Sequence, residues 1–262
     1  MIVTLLTDFG DQDGFVGALR GVLLSRAPQT TLADIAHHVP RGDVAKAARV
    51  LARAAPCFPP GTVHLVVVDP GVGSARRGLV ARRDGHLFVA PDNGVLGDFV
   101  VGAELRVIAP GPHLPRARGV TFQGRDLFAP VAGALAAGWS FDAVGPPLVD
   151  PVRLLQATPP TADARGCARG RVVEVDVFGN LITDVPAIAG LPRCRVRLGD
   201  VVLEGPEACY AAVAPGELVL VVGSAGTLEI AVRGGSAAAR LGLGAGASVA
   251  CARVDGAPSS PP

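Results

Sequence analysis

Residues 63–77 read V-H-L-V-V-V-D-P-G-V-G-S-A-R-R. Val63–Val68 is an almost unbroken apolar run, the pattern of a strand covered on both faces. It ends at a carboxylate, Asp69. The chain then turns on Pro70, Gly71 and Gly73, and a cation returns at Arg76. Upstream, Ile2–Thr7 is a strand ending in Asp8. Val16–Arg26 has helical spacing (Val16, Leu19, Val22, Leu23) and stops before Pro28. Thr31–His37 is a second strand, and Val44–Ala55 an amphipathic helix ending before Pro56. Downstream, Leu79–Arg82 and Leu87–Ala90 are short strands around Asp84-Gly85, the composition of a hairpin turn. Val95–Val101 reads as a short helix, Leu105–Ile108 as a strand, and Leu127–Ala137 as a helix announced by Gly124-Arg125-Asp126. Buried strands alternating with helices predict an α/β domain with a mostly parallel sheet over residues 1–147.

The texture changes near residue 146. Pro146, Pro147, Pro151, Pro159 and Pro160 punctuate a stretch without periodicity, which reads as a linker over 148–169. From Gly170 onward short strands dominate: Arg171–Val177, Leu181–Thr183, Cys194–Leu198, Val201–Leu203, Leu218–Val222, Leu228–Val232 and Val249–Val254. One helix, Ala237–Leu241, interrupts them. The expectation is a small β-barrel domain over 170–257, with a disordered tail at 258–262.

The chain has 262 residues, 49% of them apolar, enough for a packed core and too many for a disordered protein. A formal net charge of +1 provides no global field favouring nucleic acid or an anionic membrane. The basic residues are 23 Arg and one Lys, Lys46, a bias that with the abundant Ala, Gly and Pro reads as genomic composition. Five Cys at 57, 167, 194, 209 and 251 are odd in number and widely spaced, so neither a disulfide framework nor a structural zinc site is expected. With no basic leader in MIVTLLTDFG and no apolar run of membrane-spanning length, the expectation is a soluble cytoplasmic protein.

Acidic residues stand where strands end: Asp8, Asp69 and Asp92. In open parallel sheets ligands bind beyond the carboxyl ends of the strands, so the three have one crevice available to them. Turn-opening is the competing explanation for each taken singly. Asp69 and Arg76 can pair across the glycine turn, and on spacing alone an ordinary surface ion pair, worth ~1 kcal/mol or less, is the simpler reading. Other patterns are decoys. Thr7-Asp8-Phe9-Gly10 mimics the kinase D-F-G but has no room before it for the rest of that machinery. Gly71–Ser74 matches neither phosphate-loop motif, and Gly223–Gly226 is no nucleophile elbow. His37 and His38 are neighbours on a predicted strand and point to opposite faces. No metal and no organic cofactor is expected.

Seven segments in order carry a resemblance: LLTDFGDQDGFVGALRG (5–21), ADIAHHVP (33–40), HLVVVDPGVGSARR (64–77), APDNGVL (90–96), TFQGRDLFAP (121–130), VDVFGNLIT (175–183) and GSAGTLEIAV (223–232). Together they resemble the S-adenosylmethionine hydroxide adenosyltransferases, the SAM hydrolases related to fluorinase and chlorinase. The resemblance implies an N-terminal α/β domain and a C-terminal β-barrel domain. It also implies a homotrimer binding S-adenosylmethionine between the N-domain of one subunit and the C-domain of its neighbour. The implied reaction is attack of water or hydroxide at the ribose 5′ carbon, releasing adenosine and methionine.

The resemblance assigns roles residue by residue. Asp69 and Arg76 match two members of an Asp–Arg–His set around the nucleophile, and Gln123 stands where the family motif has His. An amide cannot take a proton at neutral pH and holds water only by hydrogen bonds. Halogenating relatives carry Tyr at the position of Asp69, which disfavours halide chemistry. Asp8 matches the residue that grips the ribose diol, and Asp13 and Asp176 match positions near the amino-acid portion. Phe178 and Asn180 match adenine contacts. Ser224, Glu229 and Val232 match the last pocket motif, and Tyr210 falls near an aromatic adenine contact. Gly42 lies where some relatives place a bulky aromatic. Arg125-Asp126 reads as structural, an acid favourable to a helix N-terminus. Two other outcomes stay open: a catalytically weak trimer that binds adenosine or S-adenosylmethionine, and adenosyl transfer to another anion.

Overall fold

The computed structural model describes residues 1–111, 114, 119–154, 160, 167–187 and 193–254, and it divides into two units, Met1–Leu155 and Gln156–Pro262. The expected tail at 258–262 lies outside the described residues. In the first unit, β1 (Ile2–Thr7) is followed by α1 (Phe15–Arg26), β2 (Thr31–Ala36), α2 (Val44–Ala54), β3 (Val63–Val67), β4 (Gly78–Arg83), β5 (His86–Pro91), β6 (Glu104–Val107) and α3 (Ala129–Ala136). The strands form one sheet in the order β2-β1-β3-β5-β4-β6.

The apolar run of β3 is buried at every residue. Its side chains alternate between two cores, as the period of a strand requires. Val63, Leu65 and Val67 pack with Leu19 and Leu23 of α1 and Val131 of α3. Val66 and the following Val68 pack with Ala47 and Leu51 of α2 on the other face. The unit is therefore a helix–sheet–helix sandwich.

The sheet is mixed, and the parallel expectation is met in part: β4 alone runs against the other five strands. β2, β1, β3 and β5 run parallel, whereas β4 pairs antiparallel with both β5 and β6. The cause is the tight turn at Asp84-Gly85, where both residues have positive φ (50° and 79°). It folds β4 directly back on β5, and a two-residue turn of this kind permits only antiparallel neighbours. Two further expectations shift. The segment predicted as a helix at 95–101 is a 3-10 turn at Gly97–Val100. β2 ends at Ala36, so His37 and His38 lie beyond the strand, with His37 nearly buried and His38 mostly exposed.

Residues 148–154 pack on the first unit. Leu148 N donates to Leu105 O (2.9 Å), and Val152 N donates to Asp92 Oδ1 (2.8 Å).

The second unit contains β7 (Ala168–Val175), β8 (Leu181–Pro186), β9 (Cys194–Leu198), β10 (Val201–Gly205), β11 (Leu218–Val222), β12 (Thr227–Val232), α4 (Ala237–Leu241) and β13 (Ser248–Arg253). Its sheet order is β10-β9-β13-β7-β8-β12-β11, antiparallel throughout the described residues. The two ends approach one another, since Glu207 N, just after β10, donates to Leu220 O of β11 (2.8 Å). The result is a nearly closed barrel around Val172, Leu181, Val196, Leu220, Ile230 and Val249.

Candidate active site

β1 and β3 are parallel neighbours with Thr7 opposite Val67. Their carboxyl ends therefore emerge side by side, and Asp8 and Asp69 enter the same cleft. That cleft, about 610 Å³, is lined by Asp8, Asp13, Asp69 and Gln123, together with Phe9, Phe15, Arg41 and Phe122. Asp92 does not join them. Its buried carboxylate accepts from Arg77 Nε (2.8 Å) and from Val152 N (2.8 Å), tying β5 to the 150–152 segment. The expected three-carboxylate crevice is a two-strand one because Arg77 claims the third acid.

The turn after Asp69 is built to bring Arg76 back. Val72 N donates to Asp69 O (3.2 Å), Ser74 N and Ser74 Oγ both donate to Gly71 O (3.1 and 2.7 Å), and Arg76 N donates to Ser74 Oγ (3.3 Å). Gly73 is at φ +81°, and a Cβ there would stand 3.2 Å from Val120 O. Only glycine permits this backbone and this approach of the 119–123 segment. Arg76 Nε then donates to both Asp69 oxygens (2.9 and 3.0 Å), and its Nη2 donates to Asp69 Oδ2 and to Gln123 Oε1. The guanidinium lies over the ring of buried Phe128, 5.0 Å from its centroid. The two side chains are only 10% and 4% exposed, so the surface-pair reading fails. A charge pair this buried loses several kcal/mol when one partner is removed.

Gln123 stands one residue before a π-turn, Gly124–Phe128, that opens α3. Ala129 N donates to Gly124 O, five residues back. Such insertions re-aim side chains and recur at functional sites. A guanidinium only donates, so the amide oxygen of Gln123 must face Arg76, leaving its NH₂ group for another acceptor. Asp8 Oδ2 accepts from Gly42 N (2.7 Å), where Gly42 at φ +72° turns the backbone inward.

The remaining sequence-predicted residues belong to the second unit. Asp176 is committed to its own turn: Oδ1 accepts from Phe178 N (2.9 Å) and Asn180 N (2.8 Å), and Oδ2 accepts from Asn180 Nδ2 (2.9 Å). Phe178 at the turn tip is 73% exposed, whereas Asn180 is buried. Tyr210 Oη donates to Glu229 Oε1 (2.6 Å). Burial pushes the Glu229 carboxyl above its ordinary range, and the Tyr210 hydroxyl, held by that carboxylate, is pushed up to about 12. Ser224 is exposed in the β11–β12 turn, and Val232 O accepts from Gly235 N (3.1 Å). Arg125 pairs with the adjacent Asp126 (2.7 and 2.8 Å).

Family models for the N-terminal and C-terminal domains of the SAM hydroxide adenosyltransferases match residues 3–145 and 170–250. The chain belongs to this family. Among SAM hydroxide adenosyltransferase relatives, an (R)-S-adenosyl-L-methionine hydrolase of Salinispora tropica is 41% identical over 250 residues, covering 92% of this chain and 94% of that protein. One from Thermus thermophilus is 38% identical, covering 94% and 98%. A fluorinase of Actinoplanes sp. is 27% identical over 70% of this chain and 71% of its own. The crystal structure of an uncharacterized conserved protein from Thermotoga maritima superposes with a TM-score of 0.87 at 36% identity, covering 97% of this chain and all of that one.

Among the cleft residues that sequence reasoning passed over are Phe9, Phe15, Phe122 and Arg41. The three rings form an edge-to-face cluster with centroids 5.2–6.0 Å apart. The usable signal was their position, since Phe9 and Phe15 flank Asp8 and Asp13, and Phe122 precedes Gln123.

Proposed function

We infer that this protein is a hydrolase of S-adenosyl-L-methionine, in which water or hydroxide attacks the ribose 5′ carbon and adenosine and L-methionine leave. The observation that carries the reading is Arg76 bridging Asp69 and Gln123 at the wall of a cleft that also contains Asp8.

The chemistry fits that arrangement. The leaving group departs from a sulfonium as a neutral thioether and needs no acid. The difficulty is the nucleophile, which must be held in line and relieved of a proton. Of the three side chains only Asp69 accepts protons, so Asp69 is the base. Arg76 fixes its orientation with two Nε bonds and one from Nη2. The Gln123 NH₂ group donates to a lone pair of the attacking oxygen, which leaves the opposite lone pair to attack. Asp8, with Oδ2 on Gly42 N, offers Oδ1 to the ribose diol, a bond of the charge-assisted kind. Asp13 takes the methionine ammonium.

The second-unit residues complete the pocket. Phe178 offers a ring face to adenine and Asn180 its amide. Asp176 shapes the turn that presents them and places its charge near the amino-acid portion. Ser224, Glu229, Val232 and Tyr210 line the far side. In keeping with what the family resemblance implies, we propose a homotrimer with the substrate between the first unit of one subunit and the second unit of its neighbour. Working in the cytoplasm accords with five cysteines whose odd number and wide spacing make no disulfide framework. Among the described residues no helix is long and apolar enough to cross a membrane.

The test is incubation with S-adenosylmethionine, with and without chloride or fluoride, followed by chromatography. Equimolar adenosine and methionine, unaffected by halide, are expected. Unconsumed substrate, or a halogenated nucleoside, would contradict the assignment.

A further inference from the structure

Two thiols meet inside the barrel. Cys194 on β9 and Cys251 on β13 are on neighbouring antiparallel strands, where Cys194 is opposite Arg253 and Cys251 opposite Val196. They are thus diagonal neighbours on one face, both buried in the same apolar core. Small residues make the space they share. Gly205 is opposite Cys194 on β10, and Ala168 is opposite Cys251 on β7. The pair lines an opening of about 80 Å³ with Pro186, Ala187, Pro206, Val222 and Leu228. A cavity needs about 10–15 Å³ of such volume to hold one water, so the opening admits a molecule of peroxide size.

We propose that Cys194 and Cys251 form a dithiol that hydrogen peroxide closes to an intramolecular disulfide. The Cys194 sulfur attacks one peroxide oxygen. The O–O bond breaks, water leaves, and Cys194 becomes a sulfenic acid. The Cys251 sulfur then displaces that hydroxyl as a second water. Two thiols lose two hydrogens and two electrons, and one peroxide becomes two waters. Both sulfurs line the same opening, so the reverse order of attack yields the same disulfide. Val222 and Leu228 adjoin the turn at Gly223–Gly226 and Glu229, so the closed bond lies directly behind the barrel's proposed substrate residues.

The test uses the full chain treated with hydrogen peroxide, blocked with a thiol alkylator and mapped with a protease that does not cut beside arginine. The expected product has lost two hydrogens, joins Cys194 to Cys251 within one chain, and returns to two free thiols with dithiothreitol. Cys194→Ser and Cys251→Ser each abolish it, and Cys57→Ser and Cys209→Ser retain it. Peptide mapping of the unmutated protein decides the matter even if a barrel variant fails to fold. Oxygen added to either thiol without a crosslink, a bond to Cys167 or to another chain, or both thiols still alkylated after peroxide would overturn the proposal.

Discussion

Two acidic sites, Asp69 in the first unit and Asp176 in the second, are satisfied over different spans of chain. In the first, Arg76 joins Asp69 seven positions before it to Gln123 forty-seven after it, and Arg77 reaches Asp150 seventy-three residues away. Beneath the sheet, Thr4 Oγ1 is hydrogen-bonded to His64 Nδ1 (2.8 Å) and His64 Nε2 to His86 Nδ1 (3.1 Å), a chain across β1, β3 and β5. In the second unit, Asp176 is satisfied within its own turn by groups two and four residues on. A charge with distant partners holds separate elements in register, so losing it disturbs chemistry and fold together. A charge with local partners shapes one loop.

The largest test of this contrast is Asp69→Asn. The amide keeps the shape but leaves Arg76 buried without its counter-charge and the nucleophile without a base. We expect kcat to fall about 1,000-fold and unfolding free energy to fall by about 3 kcal/mol, read by adenosine formation and urea denaturation. Near-normal turnover would remove Asp69 from the mechanism.

Next is the histidine chain. Burial, reinforced by His86, lowers the His64 pKa from 6.5 to about 4. The folded state thus favours neutral His64. Its contribution is complete above pH 6.5 and is lost as pH falls from 6.5 through 4, amounting to about 3 kcal/mol. Urea midpoints at pH 7.5 and pH 4 should show this loss, and His64→Leu should remove most of the difference. A wild-type midpoint that does not move would contradict the burial of a neutral imidazole.

Asp176→Ala should be milder. It removes three acceptor contacts from one turn, costing about 2 kcal/mol, and raises KM for S-adenosylmethionine with little change in kcat. A kcat loss matching that of Asp69→Asn would erase the distinction between the units. The smallest expected effect is a gain: Gln123→His supplies a titratable ring beside Arg76 and should raise kcat about ten-fold. An unchanged rate would show that the family's His role does not transfer to this chain.

Most of the fold was legible because burial and turns leave local marks. The run Val63–Val68 announces a strand covered on both faces, and Pro28 and Pro56 mark helix ends. The mixed sheet was within reach too, since the Asp84-Gly85 turn forces β4 antiparallel to β5. An apolar period alone carries no strand direction, so that turn is the mark that singles out β4 as the reversed strand. The site was half legible. Asp8 and Asp69 follow from strand ends, but the burial of the Asp69–Arg76 pair depends on Phe128 and Gln123, more than forty residues on. The diversion of Asp92 depends on Arg77 and on Val152, sixty residues away. The cleft phenylalanines were passed over because the polar residues beside them, Asp8, Asp13 and Gln123, were read by themselves although adjacency marked the rings.

The most direct measurement runs the reaction in ¹⁸O-labelled water and weighs the products. Attack at the 5′ carbon by the oxygen that Asp69 and Gln123 hold predicts one ¹⁸O atom in adenosine and none in methionine. Label in methionine, or adenosine formed without label, would place the broken bond or the nucleophile elsewhere and contradict the role given to this cleft.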